Sequence, residues 1–407
     1  MKCRFCEARL SQKLIDLGHQ PLANNYISTS QKHHSQEYFP LTVWICETCW
    51  LVQCEQIASK EKIFDDEYAY FSSSSKSWLK HAELFSKKII QKEKLSSKNF
   101  VVEIASNDGY LLQNFINNSI ECVGIEPTKS TAILAEKRGV PTIQKFFQYD
   151  LVPEIISQYR KADLIICNNV FAHVPNLIDF VKGLKALLND QGVISIEFPH
   201  LTELIQGKKF DTIYHEHFSY FSLFSAKKIL ENFGLRVFDI ELLKSHGGSY
   251  RLFICHDRAF KSDTKTVDRI LQDELLLGVN NNNFYSNFQK EAEKIKNNFL
   301  KFLIDSKLAG KKVVAYGAAA KGNTLLNFSG VKPDLIEYVF DASEGKQGKF
   351  LPGSGIPILP PESIFEIKPD YVIVFPWNLI KEIKEYLTPL IMRGTKLVTV
   401  IPSIKYH

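Results

Sequence analysis

Apolar residues along this 407-residue chain follow more than one period. From residue 99, the short apolar runs NFVVEIAS, ECVGIEPT, ADLIICNNV and GVISIEFP alternate with stretches patterned for helices. Such alternation predicts right-handed βαβ units on a parallel sheet, a fold class that places ligands at its strand C-termini. A second series begins at residue 311 with KKVVAYGAAAKGN, IEYVFDAS, DYVIVFPWN and TKLVTVIPS, and predicts another doubly wound unit. Between the two, residues 263–305 are polar and helical, with Phe284, Phe288, Ala292, Ile295, Phe299 and Phe302 forming a packing stripe, and NNNN before Phe284 marks a turn. Upstream, YFPLTVWICETCWLVQC predicts a small sheet. The segment DDEYAYFSSSSKSWLKHAELFSKKIIQKEK then passes from a serine-rich loop into an amphipathic helix with Trp78, Leu79, Ala82 and Phe85 on one face. The expected organisation is therefore α/β in four stretches, 1–60, 61–98, 99–260 and 261–407, without a short internal repeat.

Composition narrows the class. A hydrophobic content of 45% and an aromatic content of 12% suit about two or three packed domains rather than a disordered chain. The formal charge of +5 is small and its lysines are spread out, so neither nucleic acid nor a bilayer is indicated, and a mildly anionic small substrate suits it as well. No apolar run approaches the ~18 residues of a membrane span, and MKCRFCEARL lacks the apolar region of a signal peptide. A cytoplasmic location is the expectation, and oligomeric state is not legible.

Four of the eight cysteines form two Cys-x-x-Cys pairs, Cys3/Cys6 and Cys46/Cys49. Two such knuckles present four thiolates tetrahedrally to Zn²⁺ at ~2.3 Å. A redox dithiol needs only one pair, and a disulfide framework does not suit a reducing compartment. The expectation is a structural zinc with no position open for chemistry.

The first α/β unit opens with VVEIASNDGYLL. A strand ending at Ile104, a loop of small residues and Gly109 allow close backbone approach to a ligand, while Glu126 at the next strand's end can accept from both hydroxyls of a ribose. This arrangement is shared by dinucleotide enzymes and methyltransferases. Ala105 and Asn107 stand where G-x-G-x-x-G would have glycines, which argues against a pyrophosphate and leaves room for S-adenosylmethionine. Glu103, Ala105, Asn107, Gly109, Tyr110, Glu126 and Asn168 are the cofactor candidates.

The order of the two Cys-x-x-Cys pairs with LGHQPLANNY between them, then YAYFSSSSKSWLKHA, EIASNDGYLL, FDTIYHEHFSYFS, HGGSYR and YGAAAKGNTLLNF resembles the zinc-containing sugar C-methyltransferases, which act on nucleotide-linked 4-keto-deoxysugars. The resemblance spans nearly the whole chain, departing where the family commonly has Gly and this chain has Ala105. It implies a zinc module, a central class I methyltransferase domain and a C-terminal Rossmann-like domain, with Tyr68, His173, Tyr214, Glu216 and His217 forming the active site.

Methylating carbon requires a base to remove a proton beside a ketone and a donor to hold the enolate oxygen. The YHEH cluster offers these types, with Glu216 placed to orient or assist the His217 imidazole and Tyr214 to donate. His215 and His217 would share a face of a strand as metal ligands do, but no third ligand is evident; His215 reads as structural. His173 could be a core histidine, and packing competes for Tyr68, whose neighbours Tyr70 and Phe71 are alike. A regular strand would point Tyr214 and His217 apart, so the segment is expected to be a loop or tight turn. In HGGSYR, Ser249 and Arg251 are candidates for a phosphate of the substrate, against a β-turn with a surface arginine; Lys321, Asn323 and Asp341 are candidates in the last unit. A nicotinamide dehydrogenase would use the same features but lacks its glycine fingerprint. The expected activity is methyl transfer to a carbon, C3 foremost, of an NDP-4-keto-deoxysugar. The other class considered is a nucleic-acid methyltransferase with the zinc module as docking arm, which the charge disfavours.

Overall fold

The computed structural model describes residues 1–57 and 71–407. Tyr68 lies outside the described residues. The N-terminal sheet is built from β1 (Gln12–Gln20), β2 (Phe39–Ile45) and β3 (Val52–Cys54), all antiparallel. Its fourth strand is the short Ser219–Tyr220 segment from far downstream, paired with Val52 and Gln53.

Helix α1 (Lys76–Lys92) follows, started by Ser75, whose side chain accepts from the Trp78 N–H. Ala82, Phe85 and Ile89 face inward as their spacing requires, whereas Leu79, expected on that face, is 38% exposed at its edge. The central sheet contains β4 (Phe100–Ile104), β5 (Glu121–Ile125), β6 (Thr142–Ile143), β7 (Ala162–Asn168), β8 (Leu188–Pro199), β10 (Leu235–Leu243) and β11 (Ser249–His256), β9 being the Ser219–Tyr220 strand. Across the sheet the order is β10-β11-β8-β7-β4-β5-β6, parallel from β8 to β6, with β11 antiparallel to both neighbours. Strands β4, β5 and β7 are buried on both faces over most of their length because helices cover both sides. Strand order reverses at β4, so the crevice for a ligand opens past the ends of β4 and β7.

The third sheet has the order β14-β13-β12-β15-β16-β17: β12 (Val313–Tyr316), β13 (Val339–Phe340), β14 (Ile358–Leu359), β15 (Tyr371–Val374) and β16 (Lys396–Thr399) are parallel, and β17 (Lys405–Tyr406) is antiparallel. Before it, α2 (Lys265–Leu277) and α3 (Phe288–Leu308) flank the Asn282–Phe284 turn that NNNN marks. The expected stripe lies inward, with Phe288, Ala292, Ile295 and Phe299 at most 5% exposed. It packs in one apolar core with Leu14, Leu41 and Val43 of the N-terminal sheet, Phe210 and Ile213 of the central part, and Ala315 and Ile373 of the last sheet. The three parts therefore share a core.

Candidate active site

The cysteine centre is assembled by two knuckles of the same shape. Trp50 N–H bonds to the Cys46 carbonyl and Glu7 N–H to the Cys3 carbonyl, and both residues are left-handed at φ 60°. The four sulfurs lie within 4.8 Å of one another, with Cys3–Cys49 at 3.5 Å and Cys6–Cys46 at 3.4 Å. Zinc–sulfur bonds of ~2.3 Å in a tetrahedron place sulfurs about 3.8 Å apart, so the set fits Zn²⁺ and leaves no open position. Arg4, inside the first knuckle, donates to the carbonyls of Cys54 and Pro175, and its guanidinium lies 5.5 Å from the Phe218 ring. The centre thus holds two chain segments that carry candidate catalytic histidines.

At the end of β4, Ala105 and Asn107 have φ of 56° and 51°, a conformation that costs a non-glycine residue about 1–2 kcal/mol. Gly109, at φ 75°, allows an approach that a Cβ would close, since it would meet Val140 at 2.8 Å. Glu126 accepts from the Asn107 and Thr128 N–H groups, each at 2.9 Å, and so shapes the loop it follows. Glu103 is 1% exposed, with its carboxyl pushed well above the usual range by burial and by Glu126 and Asp108. Glu103 Oε2, Ser106 Oγ and both side-chain polar atoms of Asn168 are buried without a hydrogen-bond partner among the described residues. Donors and acceptors left without partners around this loop fit the ammonium, carboxylate and hydroxyl groups of S-adenosylmethionine. Ser72 N–H and Ser73 cover this loop through Asn107 and Asp108, and Tyr110 is buried beneath it.

Tyr214 to His217 form a tight turn, closed by the His217 N–H on the Tyr214 carbonyl at 2.9 Å. The turn lays the Tyr214 ring 4.0 Å from the His217 ring, and His173, on the turn Phe171–His173 after β7, comes within 4.8 Å of His217. The Phe218 N–H on the Ala172 carbonyl fixes the two segments together. His217 Nδ1 sits 2.8 Å from the Thr212 carbonyl, which accepts its N–H, keeps the ring proton on Nδ1 and leaves Nε2 as the basic nitrogen. Burial, with His173 nearby, pushes His217 well below its ordinary range, and burial takes His173 down to about 4. Both rings are neutral at pH 7.

Glu216 differs from expectation. Its carboxylate accepts from Asn24 Nδ2 of the N-terminal segment at 2.7 and 2.9 Å, while its carbonyl accepts from the His173 ring. The Thr212 carbonyl, not Glu216, orients His217. His215 is 3% exposed, lies 3.3 Å from the Pro40 carbonyl and is edge-on to Phe39, a structural setting. Ser222 caps the helix that starts at Leu223.

The phosphate candidates separate. Arg251 is not a surface residue: it is 3% exposed on β11, bonded to Glu197 of β8 and stacked 4.0 Å over Phe85, because β11 is an interior strand. Ser249 is buried and donates to the Ser245 carbonyl. Asn323 ties the Ala23 carbonyl at 3.3 Å, and Asp341 braces the GAAA turn through the Ala318 N–H at 2.7 Å. Lys321 alone of this set reaches toward the histidines: it lies 4.5 Å over Trp377, its charge is felt at His217 and His246, and burial lowers it to about 8. Trp377 Nε1 donates to the buried Asp211 at 2.7 Å.

Sequence reasoning passed over Asn24, Arg4, Glu197, His81 and His246. Glu197, fully buried, takes hydrogen bonds from His81 at 2.8 Å, Arg251 and Ser245. Burial pushes its carboxyl up, but the His81 bond and the Arg251 charge outweigh it and hold the group at about 2. A depressed carboxyl contributes stability that is present above the unfolded value of about 4.5 and lost as pH falls through about 2. Glu197→Gln is expected to flatten the stability-versus-pH curve over that window and, by leaving Arg251 only the longer 3.6 Å pair with Glu241, to cost about 1–3 kcal/mol at pH 7. Denaturant titrations at pH 3 and pH 7 check both; parallel curves for the two proteins would exclude the role.

Sequence models of three domain families match in succession: a zinc binding domain over residues 3–64, a methyltransferase domain over 78–240 and a C-methyltransferase C-terminal domain over 244–402. C-methyltransferase NovU of Streptomyces niveus is 32% identical over 402 residues, which is 99% of this chain and 96% of that protein. Among solved structures, magnesium protoporphyrin IX methyltransferase of Synechocystis PCC 6803 with bound SAM overlaps 44% of this chain and 79% of its own, at 12% identity and a TM-score of 0.33. The PH0226 protein of Pyrococcus horikoshii OT3 overlaps 46% and 95%, at 15% identity and 0.37. Full-length identity to a C-methyltransferase, together with a cysteine set fit for zinc, places this chain in the zinc-containing, S-adenosylmethionine-dependent C-methyltransferase family.

Proposed function

We propose that the enzyme methylates a carbon, C3 foremost, of an NDP-4-keto-deoxysugar through a base-generated enolate. The observation that carries this reading is the His217 imidazole, with its proton committed to Thr212 and its basic nitrogen left in a cluster with Tyr214 and His173. S-adenosylmethionine supplies an electrophilic methyl group. His217 removes the hydrogen beside the ketone, Tyr214 donates to the oxygen that gains charge, and His173 crowds His217 so that its neutral form persists. Lys321 draws the anionic nucleotide toward the seam between the central and last sheets. Asn24 holds Glu216, which holds the turn. The N-terminal sheet is packed into the shared core, a setting that suits a fixed structural part better than a nucleic-acid docking arm.

The test is a panel of NDP-4-keto sugars incubated with S-adenosylmethionine, the new methyl being located by NMR. Methylation at oxygen or nitrogen, or none across the panel, would remove this reading. Glu126 gives a separate check: Glu126→Ala is expected to weaken S-adenosylmethionine binding by about 1–3 kcal/mol through the lost acceptor and the loosened loop. Unchanged affinity by calorimetry would exclude it from the cofactor site.

A further inference from the structure

The loop that joins β10 to β11 carries His246 at φ 51°, followed by Gly247 at 84° and Gly248 at 126°. Asn169, directly after β7, is also left-handed at φ 54°. These two strained residues face each other, with Asn169 Nδ2 3.3 Å from His246 Nε2. Left-handed backbone at non-glycine residues persists only where surroundings impose it, and it collects at functional sites.

Here the surroundings are explicit. Ser245 is bonded to Glu197, Lys209 to the Gly247 carbonyl, and the His200 N–H to the Gly248 carbonyl. Trp377 and Glu203 stand where side chains on Gly247 and Gly248 would go. Trp78 meets the His246 ring edge-on at 5.3 Å. The imidazole is thereby fixed beside the cluster already described: Asn169, its partner, begins the segment that leads to His173, and Trp377, against Gly247, lies under Lys321 at 4.5 Å. The Asn169 amide donates to Nε2, which puts the ring's proton on Nδ1. Burial takes His246 down to about 4, so that N–H is a neutral donor throughout the neutral range.

We propose that His246 is a further catalytic residue, its Nδ1–H donating a hydrogen bond to the substrate oxygen that becomes an enolate, alongside Tyr214. The assignment rests on the enolate reading above. Two preorganised donors at a developing oxyanion form the arrangement that such a reaction needs, and a donor that is neutral beforehand loses no proton in doing so. The competing view, a ring that merely packs on Trp78, does not call for a left-handed histidine where other residues fill the same space.

His246→Gly removes the ring and relieves the backbone, so the variant should fold at least as well as wild type. His246→Asn tolerates the same conformation and keeps an N–H donor. Both are compared with wild type, zinc-loaded and full-length, by exchange of the substrate's α-hydrogen with solvent deuterium in the presence of S-adenosylhomocysteine and an NDP-4-keto-6-deoxysugar. The expected result is an exchange rate about 10²–10³-fold lower in His246→Gly, with calorimetric affinity for S-adenosylhomocysteine within about threefold of wild type, and a recovery of about tenfold in His246→Asn. Exchange in His246→Gly within about threefold of wild type would overturn the assignment. Equal losses in both variants would also overturn it, because the ring would then be needed for its shape alone. If wild type exchanges no α-hydrogen with any sugar of the panel, the enolate reading fails first, and the donor fails with it.

Discussion

Replacing His217 by alanine is expected to abolish deuterium exchange and methylation together, lowering each by about 10²–10⁴-fold, while affinity for S-adenosylhomocysteine changes little. The loss follows from the hydrogen bond between Nδ1 and the Thr212 carbonyl, which makes Nε2 the nitrogen that receives the proton. The other carboxylate of the turn, Glu216, accepts from Asn24 rather than from the His217 ring. Because the His217 ring also packs 4.0 Å from the Tyr214 ring, the thermal melt of the variant must be recorded, and His217→Phe serves as a ring-preserving control that should be equally inactive. Should His217→Ala exchange deuterium at the wild-type rate, the base must be sought elsewhere, first at His173.

The second large effect is expected at a distance from the chemistry. Purified enzyme should carry about one zinc per chain, and Cys46→Ser should lose it, with a drop in melting temperature and near-complete loss of methylation. Zinc in small modules contributes on the order of 10 kcal/mol to folding, more than a domain can forgo. The activity should follow because Arg4, between two of the ligands, fixes Pro175 beside His173 and Phe218 beside His217. Metal-free protein that is folded and fully active in the same assay would sink both parts of the claim.

Much of this architecture is legible in the chain because its signals are local. Each apolar run named in the two α/β series coincides with a strand, the stripe from Phe288 to Phe299 lies inward, and the cysteine pairs meet as their spacing requires. What escaped depends on contacts between distant segments. A strand of two residues, Ser219–Tyr220, has no period, and only its pairing with Val52 and Gln53 defines it. Arg251 reads as a phosphate partner beside two glycines until β8 places Glu197 against it. Glu216 reads as a group that orients or assists His217, and its bond to Asn24, from the other end of the sequence, carries no local sign. His246 had one local sign, its place before two glycines, which by itself indicates only a turn. Tyr68 lies outside the described residues.

The same long-range pairings set an order on the enzyme's birth at the ribosome. A chain made from its N-terminus has both cysteine knuckles in hand by residue 49, yet the sheet beside them lacks an edge until Ser219 and Tyr220 emerge. Asn24 waits for Glu216 in the same way. Ile27 waits longer still, since its backbone partner is Phe350. The zinc-bearing part is thus made early yet is among the last to be finished, and a nascent chain stalled before residue 216 would display its cysteine knuckles with no catalytic turn for Asn24 to latch.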